Sequence, residues 1–404
     1  MHLSVFFENK VILFINVLLG LFFVLSNFES LSDITGTNTM YSFYLRFLIM
    51  FAISILLLFS IDRGNVLSLK IKGLSLTFLV SLWAIYVFCN MLLTTPYLNM
   101  GVITIFLSSY FWIFIYFYGL YVGKYNTSKS IIGVFFFILP ILLYMLIFAS
   151  NRRSLEFENQ LASINYVMYA VLLLPWFFLV KSNVVKIFTL LLISGASFFS
   201  MKRGVSIVAV LLMLNFVYWQ FLRNNKKSIF FRFILLILFL FIGVSLLFFV
   251  NEFSNGFLLQ RFLNMQEDHG SGRGDIYYLV IKGFMELDFF EKLFGSGYYS
   301  VSLNNVTHSF EALSAHNDPL EILYDYGILG ESIYISFFLF LIKRMCYFAK
   351  RNPDLSLSYS SSIIIFIVLS LISHLIIYPT YFVSLTLFWG VVEGMEKKGD
   401  LKKM

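Results

Sequence analysis

The feature that most constrains this chain is a succession of apolar runs, many of them long enough to cross a bilayer and most of them joined by short polar links. About 20 helical residues cross a hydrocarbon core of roughly 30 Å. Twelve such stretches fall at about 10–27, 43–61, 74–93, 101–122, 131–150, 164–180, 184–200, 204–222, 229–250, 327–345, 361–378 and 380–395. In lipid the backbone must satisfy its own hydrogen bonds, so only helices or closed barrels span, and these runs lack the alternation of barrel strands. The expected fold is an all-α integral membrane protein of about twelve transmembrane helices. The last two stretches are separated only by Tyr378-Pro379, so one re-entrant hairpin is the alternative there.

Composition agrees, since 13% of residues are charged and 59% hydrophobic, whereas soluble domains carry about 25% charged residues. No small-x-small cleavage site follows the first run, Val11 to Leu25, which reads as a span and not as a cleaved signal peptide. Cys89 and Cys346 form no CxxC pair and no Cys/His ligand spacing, so neither a disulfide framework nor a metal site is expected.

Orientation follows from Lys and Arg, which favour cytoplasmic loops. With the N-terminus inside, the inner segments hold 20 of the 29 basic residues. Both termini are then cytoplasmic, and the one long hydrophilic segment is outside. This divides the chain into a nine-span bundle (1–250), an outer loop carrying short amphipathic helices (251–326), and the last three spans with a cytoplasmic tail (327–404). The net charge of +7 is topological, and nucleic acid is not an expected partner.

Basic residues on the outer side are the informative exceptions. Arg152-Arg153 have Glu156 and Glu158 close by in sequence to balance them. Lys202-Arg203 sit in the short outer link "FFSMKRGVSIVAV" with no acidic residue near in sequence. An ionisable group at that depth is costly and tends to face a cavity or a bound anion; snorkelling to lipid head groups is the alternative. Arg273 lies in "EDHGSGRGDIYYLVIKGFMEL", whose glycine spacing fits neither GxGxxG nor GxxxxGK[ST]. The stretch predicts a glycine turn, Asp275 as N-cap, and an amphipathic helix with Ile276, Leu279, Val280, Phe284 and Leu287 on one stripe. Arg273 would stand at the head of that helix, beside N–H groups that favour an anion.

The stretch "SAHNDPLEILYDYGILG", Ser314 to Gly330, is an unusually polar interruption. Asp318-Pro319-x-Glu321 has the form of a capping box with proline at the first helical position. It predicts a short helix over 319–326, a break at Gly327, and a span beyond. His316 and Asn317 then precede a helix start at the outer surface. A helix N-terminus disfavours a positive charge, so His316 is expected to be neutral and able to take a proton; a structural histidine is the alternative. His2, His269, His308 and His374 receive no role.

A large outer loop late in the chain, "SMKRG" at the start of a middle span, an Arg opening a loop helix, a "GSG" turn, and "HN" with "GILG" before the next span together resemble the bacterial O-antigen polymerase and O-antigen ligase superfamily. The resemblance implies a metal-independent glycosyltransferase with no cofactor, acting on the outer face of the bacterial inner membrane. Its donor and acceptor would be undecaprenyl-diphosphate-linked oligosaccharides, and membrane lipid and a chain-length regulator protein are the candidate partners. Arg203, Arg273 and Lys202 would bind the diphosphate, His316 would be the catalytic base, and Asn317 or Asp318 would orient the imidazole or the acceptor. A polymerase extends a lipid-linked repeat unit, whereas a ligase loads lipid A core; the chain's richness in Phe, Ile, Asn and Lys favours the polymerase. A lipid-linked glycan flippase is the alternative from another class, disfavoured because no internal repeat is evident.

Overall fold

The structure is a computed structural model, and it describes residues 10–25, 40–60, 75–95, 99–125, 128–156, 166–200, 202–223, 229–253, 256, 259–260, 263–264, 273–302, 314–376 and 379–398. The described residues form helices and links, with no strand among them. In chain order the helices are α1 (Lys10–Leu25), α2 (Met40–Ser60), α3 (Leu76–Thr94), α4 (Met100–Ser109), α5 (Phe111–Tyr125), α6 (Ser128–Glu156), α7 (Tyr166–Phe177), α8 (Asn183–Phe199), α9 (Arg203–Val217) and α10 (Ile229–Phe253). Two shorter helices, α11 (Arg273–Glu286) and α12 (Phe289–Phe294), belong to the polar segment. The chain continues through α13 (Asp318–Arg351), α14 (Pro353–Ile372) and α15 (Pro379–Lys398).

Each of the twelve apolar stretches holds a helix among its described residues. Five are long and apolar enough to cross a membrane by length and composition: Leu76–Thr94, Met100–Lys124, Arg203–Leu222, Asp318–Arg351 and Leu355–Ile372. Two depart from the sequence expectation. The stretch at 101–122 is broken at Tyr110, whose hydroxyl donates to the Tyr326 hydroxyl at 2.6 Å. Helix α7 has only 12 residues, about 18 Å at 1.5 Å per residue, short of a full crossing. Its side chains from Val167 to Phe177 that carry apolar groups are buried, so it forms part of the core.

The closest helix pair is α5 against α15, and both carry a small-xxx-small pattern, Gly119/Gly123 and Gly390/Gly394. A Cβ at Gly119 would stand 2.6 Å from the Leu387 carbonyl oxygen, and one at Gly394 would stand 2.9 Å from the Lys124 nitrogen. Between apolar helices there is little hydrophobic gain left, so backbone approach and van der Waals packing carry association. The sequence reading overlooked both glycine pairs.

Two polar features fix the helices that build the site. Arg344 of α13 pairs with Glu393 at 2.8 Å and with Glu396, both on α15. Serines of α14 accept from neighbouring helices: Ser360 from Trp219 Nε1 at 3.0 Å, Ser361 from Asn215 Nδ2 at 2.9 Å and Ser362 from Trp389 Nε1 at 2.8 Å. These bonds satisfy polar groups that would otherwise be orphaned in the core.

Replacing Gly390 by Leu is expected to destabilise the protein by about 1–3 kcal/mol or more through overpacking. Gly133, where a Cβ would meet nothing within 4 Å, should accept Ala with no loss. Thermal unfolding of the two variants in detergent measures the contrast; equal melting temperatures would contradict the close contact.

Candidate active site

Three helix starts and one link come together. At the first, α8 ends at Phe199 and α9 begins at Arg203, with Lys202 as its N-cap in extended conformation. A Cβ on Gly204 would run into the Ile372 side chain. The glycine of "KRG" therefore lets the head of α9 approach the end of α14.

The second start is Arg273, the first residue of α11. The expected stripe is the docking face of that helix: Ile276 and Val280 are buried against Val301, Ala315 and Tyr324, with Phe284 and Leu287 beside them. The helix lies against the bundle through α13. It begins two residues earlier than expected, so Asp275 sits in its first turn and is not its N-cap. The Tyr277 hydroxyl reaches the His316 carbonyl at 3.3 Å and the Leu371 carbonyl at 3.4 Å.

The third start is α13. Asn317, not Asp318, is the N-cap: its side chain accepts from Leu320 N at 3.1 Å, and its Nδ2 donates to the Leu371 carbonyl at 3.0 Å. Asp318 and Glu321 make no capping box, because both carboxylates are taken by more distant backbone. Fully buried Asp318 accepts from Leu375 N at 3.1 Å and Ile376 N at 3.2 Å, and Glu321 accepts from Ala315 N. Asp325 takes Tyr299 N at 3.0 Å and Val301 N at 3.1 Å. The break at Gly327 is present, with φ 66° and ψ −171°. A Cβ there would stand 2.5 Å from Gly295 N, so Gly327 fits the "GSG" turn, where Gly295 and Gly297 also have positive φ. Tyr298, Tyr324 and Tyr326 are buried, whereas Tyr278 is exposed.

His316 sits where these elements meet, and its φ of 52° places it in the left-handed region. That conformation costs a non-glycine residue on the order of 1–3 kcal/mol and persists only where the surroundings enforce it, as at functional sites. Burial, with Arg273 and Lys202 adding their charge, pulls the His316 pKa down to about 4. Burial lowers the Arg273 pKa from its ordinary value, and Arg203 lowers it further. Lys202, Arg203, Arg273 and His316, picked from separate segments of sequence, therefore lie within one electrostatic neighbourhood.

The link after α14 adds a residue that the sequence reading passed over. The ring of His374 stacks on His316 with centroids 4.3 Å apart and planes tilted by 37°. Its Nε2 pairs with Ser314 Oγ at 2.9 Å. Burial, then His316, Arg273 and Lys202, hold its pKa well below the usual value. The available signal was a lone histidine at the C-terminal end of span eleven, on the side expected for His316.

Below the cations an apolar groove of about 410 Å³ opens between α8, α9 and α10, lined by Phe198, Ser206, Val210, Leu247, Phe248 and Asn251 among others. Ser206, on the groove wall, is about one turn along α9 from Arg203.

The site thus gathers positive charge and a neutral imidazole around three helix N-termini, an arrangement suited to an anionic group and a proton transfer in a polytopic membrane protein. Residues 188–335 match the family model of O-antigen ligase. That match supports the resemblance to the O-antigen ligase and polymerase superfamily that the motifs carry. The matched segment includes Lys202, Arg203, Arg273 and His316 and stops short of His374. Among curated proteins no match is found.

Replacing Asp325 by Ala orphans two backbone N–H groups of the turn at 299–301. With each unsatisfied group costing about 1–3 kcal/mol, thermal unfolding should show a loss of about 2–5 kcal/mol. An unchanged melting temperature would show that water or another group replaces the carboxylate.

Proposed function

We propose that this chain is an O-antigen or capsular polysaccharide polymerase. It transfers a growing glycan from undecaprenyl diphosphate to a lipid-linked repeat unit on the outer face of the bacterial inner membrane, with both termini cytoplasmic. The observation that carries this reading is the placing of Lys202 and Arg273 beside His316, with Arg203 beside Arg273 and an apolar groove along the same helix, α9.

The diphosphate of the donor rests on Arg203 and Arg273, with Lys202 adding charge, and the polyprenyl chain descends the groove past Ser206. Guanidinium groups bind phosphate oxygens in bidentate fashion and stabilise charge as it develops. As the C1–O bond to the diphosphate breaks, the acceptor hydroxyl forms the new bond to C1. Its proton passes to His316, and undecaprenyl diphosphate departs with the bonding electron pair. The arginines supply the positive charge that a divalent ion would otherwise provide, so the reaction is metal-independent.

The field of the cations has a further consequence. With the anion site empty, His316 is a weak base because burial, and then Arg273 and Lys202, disfavour its protonated form. A bound diphosphate neutralises that field and raises the basicity of His316. The base is thus strengthened when the donor is present. Asn317 and Asp318 act indirectly in this scheme, since one caps α13 and the other holds the link at 375–376.

The ligase reading, transfer to lipid A core, shares the donor chemistry and agrees with the description of the matched family. Deleting the gene in its host separates the readings by the glycan ladder. Lipid A core, or the surface carrier, bearing a single repeat unit supports the polymerase. Bare core with polymer stranded on its carrier indicates the ligase, and loss of all outer-face units indicates a flippase.

His316→Ala and Arg203→Ala are each expected to lower transfer by about 10²–10⁴-fold while the protein still inserts. A normal chain-length distribution in either variant would sink the site assignment. For the free enzyme, kcat/KM should fall as pH drops through the His316 pKa near 4, because the protonated base cannot accept the hydroxyl proton. Arg273→Lys keeps the charge but loses the bidentate fork, and should bind pyrophosphate about tenfold more weakly with the acid limb nearly unmoved.

A further inference from the structure

His374 lies outside the segment matched to O-antigen ligase, and the mechanism above does not use it. Its position is nonetheless closely specified. It follows α14 on the link Ser373–Ile376, and the two residues after it donate their N–H groups to the buried carboxylate of Asp318 at 3.1–3.2 Å. Its Nε2 is bonded to Ser314 Oγ, two residues before His316. Leu371, three residues before it, accepts from both Asn317 and Tyr277. The link is therefore tied to both sides of His316 by separate hydrogen bonds, and the outcome is one ring laid on the other at 4.3 Å.

We propose that His374 is a positioning residue for the base: its ring, locked to Ser314 and tied to α13 through Asp318, covers one face of His316 and fixes the plane of that imidazole. This rests on the reading of His316 as the general base. A histidine side chain has two rotatable bonds, and a base held at one orientation gives a larger fraction of productive encounters. The left-handed backbone at His316 turns the side chain toward the link, and the covering ring keeps water from that face. Asp318 acquires a purpose by the same route, because it holds the backbone that carries the covering ring.

The charged and titratable groups facing His316 come from every side. They are Lys202 before α9, Arg273 and Tyr277 on α11 and His374 on the link, while Asp318 is engaged with the backbone at 375–376. Arg203 acts on Arg273. Removing the ring of His374 leaves all these charges in place and changes only cover and orientation. The sign is fixed: more water at His316 favours its protonated form, so its pKa rises toward the ordinary 6.5.

The test uses the full-length protein in lipid nanodiscs with ¹³C-labelled histidine rings. The His316 signal is assigned by its loss in His316→Gln. In the unaltered protein His316 should titrate near 4. In His374→Ala, and in His374→Asn, which keeps a hydrogen bond to Ser314 but no ring, it should rise by about one unit or more, a tenfold change in proton affinity. His374→Phe restores the ring without the hydrogen bond and should stay within about half a unit of the unaltered protein. Transfer is measured on lipid-linked repeat units extracted from a host lacking the gene. The acid limb of kcat/KM should move upward in the Ala and Asn variants, with a loss of about fivefold or more at pH 4 and little change at pH 7, and return in the Phe variant. The same titration in all four proteins would overturn the proposal. An unaltered protein inert toward the extract would instead remove the glycosyltransferase reading, and the titration would still decide the role of His374.

Discussion

Three buried carboxylates on the first two turns of α13 hold the site end of this protein together. Asp318, Glu321 and Asp325 each spend their oxygens on backbone N–H groups of other segments: 375–376, 315, and 299 with 301. Irregular backbone near lipid is tolerated only where its polar groups are satisfied within the protein. A carboxylate is the strongest acceptor a side chain offers for this, and each of these has two oxygens to share. The polar stretch at 314–330 is acidic for that reason. Without those acceptors the link after α14, the strained His316 and the turn at 295–301 would have no common anchor.

On that frame the site is a matter of helix starts. Lys202 and Arg203 head α9, Arg273 heads α11 and His316 immediately precedes α13. Each helix adds the positive end of its dipole to the charge of its first side chain. Burial depresses the basicity of His316 and Arg273, and the neighbouring positive charges depress it further. On the proposed function a diphosphate on these groups would relieve the repulsive part of that effect and strengthen the base as the donor binds. The small-residue contact of α5 with α15 and the Arg344 pairs lie elsewhere in the bundle and keep the long helices in register.

How much of this was legible depended on whether a residue's purpose is local. Apolar runs announce helices because every residue in lipid obeys the same backbone constraint, and Gly327 announces a break because its neighbours continue a helix that it cannot. The cations stood out by violating the charge asymmetry, so Lys202, Arg203 and Arg273 were readable as exceptions. Asp318 was misread, since Asp-Pro-x-Glu fits a capping box as well as the true cap at Asn317. The partners of Asp318 lie 57 and 58 residues away, beyond any local pattern. His374 failed for the same reason: its meaning is a contact with His316 made only by folding. The broken span at Tyr110 likewise answers to Tyr326, far along the chain.

The account stands most directly on whether this chain alone releases a polyprenyl diphosphate as it joins glycans. Purified protein in nanodiscs, given lipid-linked repeat units and excess chelator, should yield lengthened glycans and one undecaprenyl diphosphate for every linkage formed. His316→Ala and Arg203→Ala should yield neither. Release that requires an added divalent ion, or glycan lengthening that survives the loss of His316, would contradict the chemistry assigned to this site.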